Sequence, residues 1–303
     1  MFTEAQVSRV IKEWGQDVYA NILRVAGICS KNWKLFDLVF FESYSMNTIF
    51  FCKSEIYGDC VLKIANGFQD REFTWEYNIL REYNGVGYAK VYESNITEVG
   101  TKAMLIERIA PGTQLHDEKS LDKRLSVFSE LFNGLHIKPK NPSIYKKYAD
   151  GIKDCIGYVD KREDCKDLLF HILKAKEIYT SIAAVYNQEL LLHGDLQNHN
   201  IILRNSGKYA IIDPQGRIGA HVFDVPRYIL QEHYNSTPEE RFDKIDYIIT
   251  YLEKSLNIPN DIIKKCHYIE TATFECWCAS VGNYNIDRVI FAEKMMGGRS
   301  AGY

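Results

Sequence analysis

The sequence LLLHGDLQNHNIILRNSGKYAIIDPQG, residues 190–216, interrupts a long region of helical pattern with short apolar runs. Two of these runs, 200–204 and 208–212, flank the turn-forming residues Asn205-Ser206-Gly207. Apolar runs of this length around such a turn predict a β-hairpin. One polar loop leads into the hairpin and a second polar segment follows it, so the hairpin can bring the two together.

Three polar side chains flank the predicted hairpin: Asp195 and Asn200 before it, and Asp213 after it. Two carboxylates and one amide oxygen can therefore converge. Hard oxygen ligands with an incomplete protein shell suit Mg²⁺, which shares its shell with substrate phosphates. A loop carboxylate beside that ion can accept a proton from an attacking hydroxyl, and these are the parts that phosphoryl transfer needs. The alternative is that the three residues only form turns, which Asp and Asn favour.

The first third of the chain has the pattern of a small sheet with helices. An amphipathic helix is predicted over residues 3–26 and a second helix over 70–83. Short β-rich runs separated by turn residues predict strands at 38–43, 47–54, 60–65, 89–94 and 102–109. Pro111-Gly112 then breaks the pattern. We place the domain boundary at this break, with an N-terminal lobe over residues 1–110.

The second domain, residues 111–303, has a mostly helical pattern. Helices are predicted over 123–135, 148–158, 166–188, 238–255 and 261–280. The predicted fold class is α+β, with a small N-lobe of antiparallel sheet plus helix and a larger, mainly helical C-lobe. The last residues, 297–303, are expected to fray.

Composition excludes several classes of protein. The 303 residues include 37 Lys and Arg against 40 Asp and Glu, a formal net charge of −3, so no basic field favours a nucleic-acid partner. No stretch reaches the roughly 18 consecutive apolar residues of a membrane span, and the first residues lack the apolar core of a secretion signal. The eight scattered cysteines are expected to be reduced thiols in a soluble cytoplasmic protein, with Cys276 and Cys278 buried rather than metal-binding.

The loop HGDLQNHN, residues 193–200, resembles the H-x-D-x-x-x-x-N catalytic loop of the protein-kinase-like superfamily. The HGDL form, and IDPQG in place of Asp-Phe-Gly, are similar to the aminoglycoside phosphotransferase family. IDPQGRIGAHVFDV (212–225) and LIERIAPGTQL (105–115) resemble in particular its streptomycin 6-kinase/hydroxyurea-resistance branch. The resemblance covers residues 38–277 and implies a bilobal protein-kinase-like fold with a cleft for ATP and Mg²⁺.

The resemblance implies roles for the residues of the loop and hairpin. Asp195 matches the catalytic base that orients the acceptor hydroxyl. Asn200 and Asp213 match the two Mg²⁺ ligands. Asp224 matches the residue that braces the backbone amides of the catalytic loop, and His193 is expected to support the loop by hydrogen bonding.

The resemblance also implies a nucleotide site in the first domain. Lys63 matches the strand lysine that contacts the α- and β-phosphates, and Glu76 matches its ion-pair partner, with Glu72 as the alternative one helical turn earlier. Glu107 and Ile109 match the hinge whose backbone meets the adenine. A lysine in an apolar strand commonly does no more than extend its charge to solvent, so the register with Glu76 and with the loop is what indicates a function for Lys63.

The chain departs from the family pattern at two places. The turn SYSMN, residues 43–47, lacks the glycines of a phosphate-covering loop. The backbone amides of Ser45 and Asn47 are expected to serve in their place. Gln197 stands where the family has a histidine, and this change is expected to affect support of the loop more than chemistry.

The implied activity is transfer of the γ-phosphate of ATP to a hydroxyl of a small molecule. The acceptor that the resemblance indicates is a streptomycin-like aminoglycoside, which would make the protein an antibiotic-resistance kinase. Glu275 and Trp277 are candidate acceptor-binding residues, because the family closes that pocket from the C-lobe. Asp117, Glu118 and Asp122 could attract a cationic acceptor or could simply form a solvated helix start.

Two alternatives to this activity remain open. One is a metabolic kinase for a sugar or amino alcohol. Another is a non-catalytic kinase-like module that binds nucleotide, which the glycine-free turn favours. A protein kinase is disfavoured, because IDPQG replaces Asp-Phe-Gly and no protein-docking signal follows the hinge.

Overall fold

The computed structural model describes residues 1–42, 46–96, 102–234 and 236–297. The chain divides into two compact units: Met1–Thr113 with Ile202–Asp213, and Gln114–Ile201 with the chain from Pro214 onward. The hairpin thus belongs to the first unit, whereas the predicted division assigned it to the second. The reason is backbone pairing, since the N–H of Ile211 donates to the carbonyl of Gly87 at 2.8 Å.

The secondary structure is as follows. The helices are α1 (Glu4–Trp14), α2 (Gln16–Trp33), α3 (Asp70–Tyr83), α4 (Leu121–Asn133), α5 (Tyr148–Val159), α6 (Lys166–Val185), α7 (Val225–His233), α8 (Pro238–Leu256), α9 (Asn260–Ser280) and α10 (Ile286–Met296). The strands are β1 (Leu35–Phe40), β2 (Thr48–Ser54), β3 (Gly58–Ile64), β4 (Val91–Ser94), β5 (Ala103–Glu107), β6 (Pro111–Gln114), β7 (Lys146–Lys147), β8 (Leu190–Leu192), β9 (Ile201–Arg204), β10 (Tyr209–Ile211) and β11 (Arg217–Gly219).

The N-terminal helical segment is two helices, and the single helix predicted over 3–26 was wrong. Thr3 caps α1: its hydroxyl accepts from the N–H of Gln6 at 3.3 Å, and the Gln6 side chain accepts from the N–H of Thr3 at 2.9 Å. Gly15 then adopts a φ of +94°, which ends the helix and which glycine tolerates because it has no Cβ. The chain resumes as α2 and continues to Trp33.

The first unit is built on a sheet of order β1-β2-β3-β5-β4, in which neighbouring strands are antiparallel. Helix α2 packs against this sheet through a core that includes Ile22, Val25, Ala26, Cys29, Phe50, Cys52, Cys60, Leu62 and Leu105. On β3, Leu62 and Ile64 are fully buried. Because side chains alternate along a strand, the intervening Lys63 lies on the opposite face of the sheet. The alternation of side chains along β3 therefore points the Lys63 side chain away from the core that Leu62 and Ile64 face.

A second, three-stranded sheet of order β10-β9-β6 contains the hairpin of the first unit. The two hairpin strands, β9 and β10, lie within one or two residues of the predicted positions, whereas β6 begins at the predicted break, Pro111, and was not predicted. The hairpin turns at Gly207, which has a φ of +78° and donates its N–H to the carbonyl of Arg204 at 2.9 Å. An apolar cluster anchors the hairpin to the first unit, and it consists of Ala89, Ile109, Ile202, Ala210 and Ile212.

Helix α9 is the centre of the second unit, and α5, α6, α7, α8 and α10 pack against it. A small sheet of order β7-β11-β8 lies in the same unit. In it β11 runs antiparallel to β8, with Arg217 opposite Leu192. Arg217 is thereby placed beside the strand that leads into the Asp195 loop. The sequence analysis missed α7, which is short and has a proline in its first turn, and α10.

The cysteines and the polar clusters add no metal centre to this fold. All eight cysteines are free, and Cys276 and Cys278 are buried as expected. Within the described ranges, no group of three or more His, Cys, Asp or Glu side chains could hold a metal ion. The helices that the structure describes include none that is long and apolar enough to cross a membrane.

Two buried histidines should make the second unit sensitive to acid. His233 on α7 and His267 on α9 pack edge to face, with ring centroids 5.1 Å apart. Burial lowers the pKa of His267 from 6.5 to about 4, and burial together with the charge of His267 holds the pKa of His233 well below its ordinary value. The unfolded chain therefore takes up protons first as the pH falls. The free energy of unfolding should fall between about pH 6.5 and pH 4, by about 3 kcal/mol for His267 alone.

Urea unfolding of the wild type and of His267→Gln at pH 7.5 and pH 5 checks this expectation. The variant should lose less stability between the two pH values than the wild type does. An equal loss in both proteins would show that His267 is not responsible.

Candidate active site

Asp224, at the start of α7, holds the backbone of the loop that follows β8. Its Oδ2 accepts from the N–H of His193 at 2.7 Å, and its Oδ1 accepts from the N–H of Gly194 at 2.8 Å. Nε2 of His136 lies 3.0 Å from Oδ2. Burial raises the pKa of this carboxyl, but His136 and the loop outweigh burial and hold the pKa below its ordinary value. A buried, charged acceptor of this kind keeps the loop in one conformation.

The carboxylate of Asp195 is surrounded by donors from the second unit. Oδ2 accepts from Nε2 of Gln197 at 2.9 Å and from Nδ2 of Asn200 at 3.2 Å. Oδ1 accepts from Nε of Arg227 at 2.6 Å. Each carboxylate oxygen can accept about two hydrogen bonds, so Oδ1 retains capacity for one more donor. Gln197, which the sequence analysis expected to affect support of the loop, therefore contacts the carboxylate directly.

Asn200 is oriented by the same loop. Its Nδ2 also donates to the backbone carbonyl of Asp195 at 2.9 Å. Its Oδ1 makes no hydrogen bond with any residue in the described ranges. Asn200 therefore presents an unused amide oxygen, which is a hard ligand of the type that Mg²⁺ accepts.

Arg227, on α7, was missed by the sequence analysis. Besides its bond to Asp195, its guanidinium lies over the ring of Phe274, with 4.6 Å from Cζ to the ring centroid. Nη1 of Arg227 is 3.9 Å from a carboxylate oxygen of Glu270 on α9. The only signal in the sequence was a charged residue within the apolar run HVFDVPRYIL (221–230).

In the first unit, Lys63 of β3 lies between two carboxylates. Its Nζ is 2.6 Å from Oε2 of Glu76 on α3 and 2.6 Å from Oδ1 of Asp213 at the end of the hairpin. Burial by itself lowers the pKa of the ammonium, but the charges of Asp213 and Glu76 outweigh burial and hold the pKa of Lys63 above its ordinary value. The structure thus pairs Lys63 with Glu76 rather than with Glu72, which is exposed.

Asp213 itself has a left-handed backbone with a φ of +59°. Non-glycine residues rarely adopt this region, although Asp tolerates it better than most. About half of its side-chain surface, 51%, is exposed, in contrast to 5% for Lys63. The carboxylate therefore joins the buried ammonium while remaining open to solvent and to ligands.

The predicted hinge residues lie at the end of β5. Glu107 is held by both terminal nitrogens of Arg204 on β9 and accepts from the N–H of Lys90 at 3.2 Å. Ile109 is 8% exposed and belongs to the apolar cluster that anchors the hairpin. The segment from Glu107 to Ile109 thus has a side chain fixed by hydrogen bonds at one end and a buried apolar side chain at the other.

The predicted phosphate-covering turn lies partly outside the described residues, and Ser45 is among those outside. Asn47 is described and is half-buried. Next to it, the hydroxyl of Thr48 donates to Oδ1 of Asn66 at 2.7 Å, and Nδ2 of Asn66 donates to the carbonyl of Met46 at 3.1 Å. Asn66, which the sequence analysis did not single out, therefore braces this side of the turn.

Both oxygens of Glu275, a candidate acceptor-binding residue, are engaged within the second unit. Oε2 accepts from the N–H of Asn285 at 2.6 Å, and Oε1 accepts from Nη1 of Arg288 at 3.0 Å, with Glu275 fully buried. Trp277, two residues further along α9, is 60% exposed.

Of the acidic residues after the hinge, Asp122 lies in the first turn of α4, and Asp117 and Glu118 precede that helix. Glu118 pairs with Lys123 at 2.9 Å. A hydrogen bond from the backbone of Ser120, followed by Lys123, lowers the pKa of the Glu118 carboxyl. Asp122 accepts a hydrogen bond from the hydroxyl of Tyr247. These two carboxylates thus have partners within their own unit.

Comparison with known proteins bears on the fold. No protein-family model matches the chain, and no curated protein matches its sequence. The solved structures with similar coordinates have the protein-kinase-like fold, with an antiparallel N-lobe sheet and a mainly helical C-lobe.

Three of these structures show how similar the coordinates and sequences are. Choline kinase LicA from Streptococcus pneumoniae is 11% identical, with a TM-score of 0.64 over 91% of this chain and 98% of that one. A choline/ethanolamine kinase family protein from Mesorhizobium loti is 13% identical, with a TM-score of 0.66 over 90% and 93%. Aminoglycoside phosphotransferase APH(4)-Ia, in complex with ADP and hygromycin B, is 12% identical, with a TM-score of 0.59 over 91% and 99%. At these identities the match establishes the fold, and the streptomycin 6-kinase branch is not among these three.

The Lys63 ion pairs give a first mutational test. Glu76→Gln removes one of the two carboxylates that compensate a buried ammonium, and it should lower the free energy of unfolding by about 3 kcal/mol. The matched change Glu72→Gln, on the exposed face of the same helix, should stay within about 0.5 kcal/mol of wild type. Urea unfolding measures both. Equal effects of the two substitutions would mean that the Lys63–Glu76 pair does not stabilise the fold.

Proposed function

We propose that the protein is an ATP-dependent kinase that phosphorylates a hydroxyl group of a small molecule. The observation that carries this proposal is the pair of preorganised groups, one in each unit. Asp195 is a carboxylate with one unused acceptor position at Oδ1, and Lys63 is an ammonium fixed by Glu76 and Asp213. The fold supports it, since its neighbours include choline kinases and an aminoglycoside phosphotransferase.

In the proposed reaction Asp195 acts as the base. The acceptor hydroxyl donates its hydrogen bond to Oδ1, because Oδ2 already receives Gln197 and Asn200. The hydroxyl oxygen attacks the γ-phosphorus, the bond from that phosphorus to the β–γ bridging oxygen breaks, and ADP leaves with the electron pair. The proton of the hydroxyl passes to Asp195 and then to solvent. A positioned base of this kind contributes about 10²–10⁴-fold to rate.

Nucleotide binding would use groups of the first unit. Lys63 uses two of its three N–H donors on Glu76 and Asp213, and we propose that the third meets the α- and β-phosphates. The backbone of Glu107 to Ile109 would contact the adenine, and the amides of Ser45 and Asn47 would cover the phosphates. Neighbouring structures contain AMP and AMP-PNP, which is consistent with a nucleotide site on this fold.

The donor set fits Mg²⁺. Asn200 offers an unused amide oxygen, and Asp213 offers a solvent-accessible carboxylate; both are hard ligands. Mg²⁺ bound by these two residues would neutralise charge on the phosphates of the nucleotide. Asp213 would then serve two cations, since one of its oxygens already contacts Lys63.

The identity of the acceptor depends on the charge near Asp195. A polycationic aminoglycoside needs several available carboxylates. Glu275 is occupied by Arg288, and Asp195 and Glu270 lie beside Arg227. This balance favours a small metabolic hydroxyl compound over a polycationic antibiotic.

Substitution of the proposed base and metal ligand tests the function. Asp195→Asn and Asp213→Asn should each lower kcat for any phosphorylated acceptor by at least about a hundredfold. Asp160→Asn, an exposed carboxylate at the end of α5, is the control and should be unchanged. ATP consumption and phosphorylated product are measured together across a panel of hydroxyl compounds. Near-wild-type turnover in either active-site variant would contradict the mechanism.

A binding measurement separates catalysis from a non-catalytic role. Mg²⁺-dependent thermal stabilisation by AMP-PNP is expected for the wild type and should be weakened in Lys63→Met. Stabilisation by AMP-PNP without turnover on any compound would favour a nucleotide-binding module instead. Absence of stabilisation would contradict both roles.

A further inference from the structure

Two arginines of the second unit lie next to the Asp195 loop and have unused hydrogen-bond donors. Arg217 is on β11 and Arg227 is on α7. Neither was part of the sequence-based site, and in the phosphate transfer described above Arg227 only holds the Asp195 carboxylate while Arg217 has no part. Their surroundings indicate what they bind.

The position of the Arg217 side chain depends on two glycines, because it fills the space that a Cβ would take at each of them. A Cβ built on Gly194, the residue before Asp195, would lie 3.3 Å from Cγ of Arg217. A Cβ built on Gly151 of α5 would lie only 2.4 Å from Nη1 of Arg217. The side chain therefore crosses the base of the catalytic loop, and its guanidinium rests on the backbone of α5 where any larger residue would displace it.

The guanidinium of Arg217 makes no direct ion pair with any carboxylate that the structure describes, although its charge interacts with that of Glu270. The Arg217 side chain makes no hydrogen bond or ion pair within the ranges 1–42, 46–96, 102–234 and 236–297. All five of its N–H donors are thus available, although the residue is half-buried. Partial burial of a guanidinium whose donors make no hydrogen bonds costs free energy. An anionic ligand that accepted those hydrogen bonds would lower this cost.

Arg227 contributes donors next to the Asp195 carboxylate itself. Its Nε is used by Asp195, while Nη1 is 3.9 Å from Glu270, which is too far for a hydrogen bond. The two terminal nitrogens therefore make no hydrogen bond with described residues. The ring of Phe274 covers one face of the guanidinium and holds it in place.

Two carboxylates, those of Asp195 and Glu270, lie near these guanidinium groups, and neither occupies all of their N–H donors. Asp195 is the proposed base, and its free capacity lies at Oδ1, the atom bonded to Arg227. Burial raises the pKa of Glu270, although the charges of Arg227 and Arg217 oppose this shift. A substrate whose hydroxyl donates to Oδ1 of Asp195 would therefore lie next to the guanidinium of Arg227, which donates to the same oxygen.

We propose that Arg217 and Arg227 bind an anionic group, a carboxylate or a phosphate ester, of the same small molecule whose hydroxyl is phosphorylated at Asp195. The acceptor is then a small hydroxylated acid rather than an ammonium compound. This inference rests on the proposed function, which supplies the position of the hydroxyl. Guanidinium groups bind both oxyanions through paired N–H donors, so the chemistry of the two is shared.

Equilibrium binding of four matched probes tests the inference without knowledge of the natural acceptor. The probes are glycerate, glycerol 3-phosphate, glycerol and ethanolamine, titrated into the full chain with and without Mg²⁺ and AMP-PNP. At least one of the two anions should bind, and glycerol and ethanolamine should bind at least about tenfold more weakly. The glycerate and glycerol 3-phosphate arms distinguish a carboxylate from a phosphate ligand.

Two variants connect the binding to Arg217. Arg217→Gln removes the guanidinium, and Gly151→Ala displaces it without removing it; both should weaken anion binding about tenfold or more. Gly157→Ala is the matched control, because it lies on the same helix with nothing within 4 Å of its Cβ position. It should bind anions as the wild type does.

The results separate this inference from the proposed function. Preferred binding of ethanolamine or glycerol, binding of none of the probes, or anion binding that is unchanged in both variants would overturn the anion site. Failure of AMP-PNP to bind would instead overturn the kinase proposal, and the titrations without nucleotide would still decide whether the anion site exists.

Discussion

The first unit depends on the compensation of one buried positive charge. The ammonium of Lys63 is removed from water by the sheet, and this would cost several kcal/mol without a partner. Glu76 from α3 and Asp213 from the end of the hairpin both lie 2.6 Å away. The two ion pairs of Lys63 thus connect the sheet to α3 and to Asp213, which is 150 residues distant in sequence. These ion pairs add to the backbone pairing and the apolar cluster that hold the hairpin in the first unit.

A buried charge of the opposite sign organises the second unit. Asp224 is inaccessible to solvent and takes the backbone N–H groups of His193 and Gly194 as donors. Further along the loop, Asn198 donates to Glu232 at 3.0 Å, and Glu232 is held by two bonds from Arg124. Because both ends of the loop are tied to buried carboxylates, the Asp195 side chain is positioned before any ligand arrives. Such preorganisation is a main source of catalytic efficiency.

The fold by itself does not determine the acceptor. Structures with this fold are named for choline, ethanolamine and an aminoglycoside, and a shared fold supports different substrates through different local residues. The local residues here are arginines. Arg227 both holds the Asp195 carboxylate and carries a fixed positive charge beside it. In the proposed kinase this positive charge favours an anionic acceptor over a polycationic antibiotic, although the motifs in the sequence resemble those of antibiotic kinases.

Local pattern was sufficient to predict several parts of the structure. The apolar runs and the Asn-Ser-Gly turn predicted the hairpin to within one or two residues, and the helical patterns predicted five helices of the second unit. The sequence left two candidates for the ion-pair partner of Lys63, Glu72 and Glu76, which lie one helical turn apart. The packing of α3 on the sheet places Glu76 against Lys63. The helix over 3–26 failed at Gly15, because amphipathic spacing continues across a residue whose φ of +94° breaks the helix.

The amino-acid sequence alone determined which residues could perform chemistry and on which short elements they lie, since hydrogen bonding and side-chain periodicity within an element are local. Only the tertiary structure brought Arg217 over Gly151 and Gly194, and Arg227 between Asp195 and Glu270. These contacts join β11, α5, α7 and α9, which are far apart in the chain. Their geometry follows from how the core packs, and no spacing in the sequence encodes it.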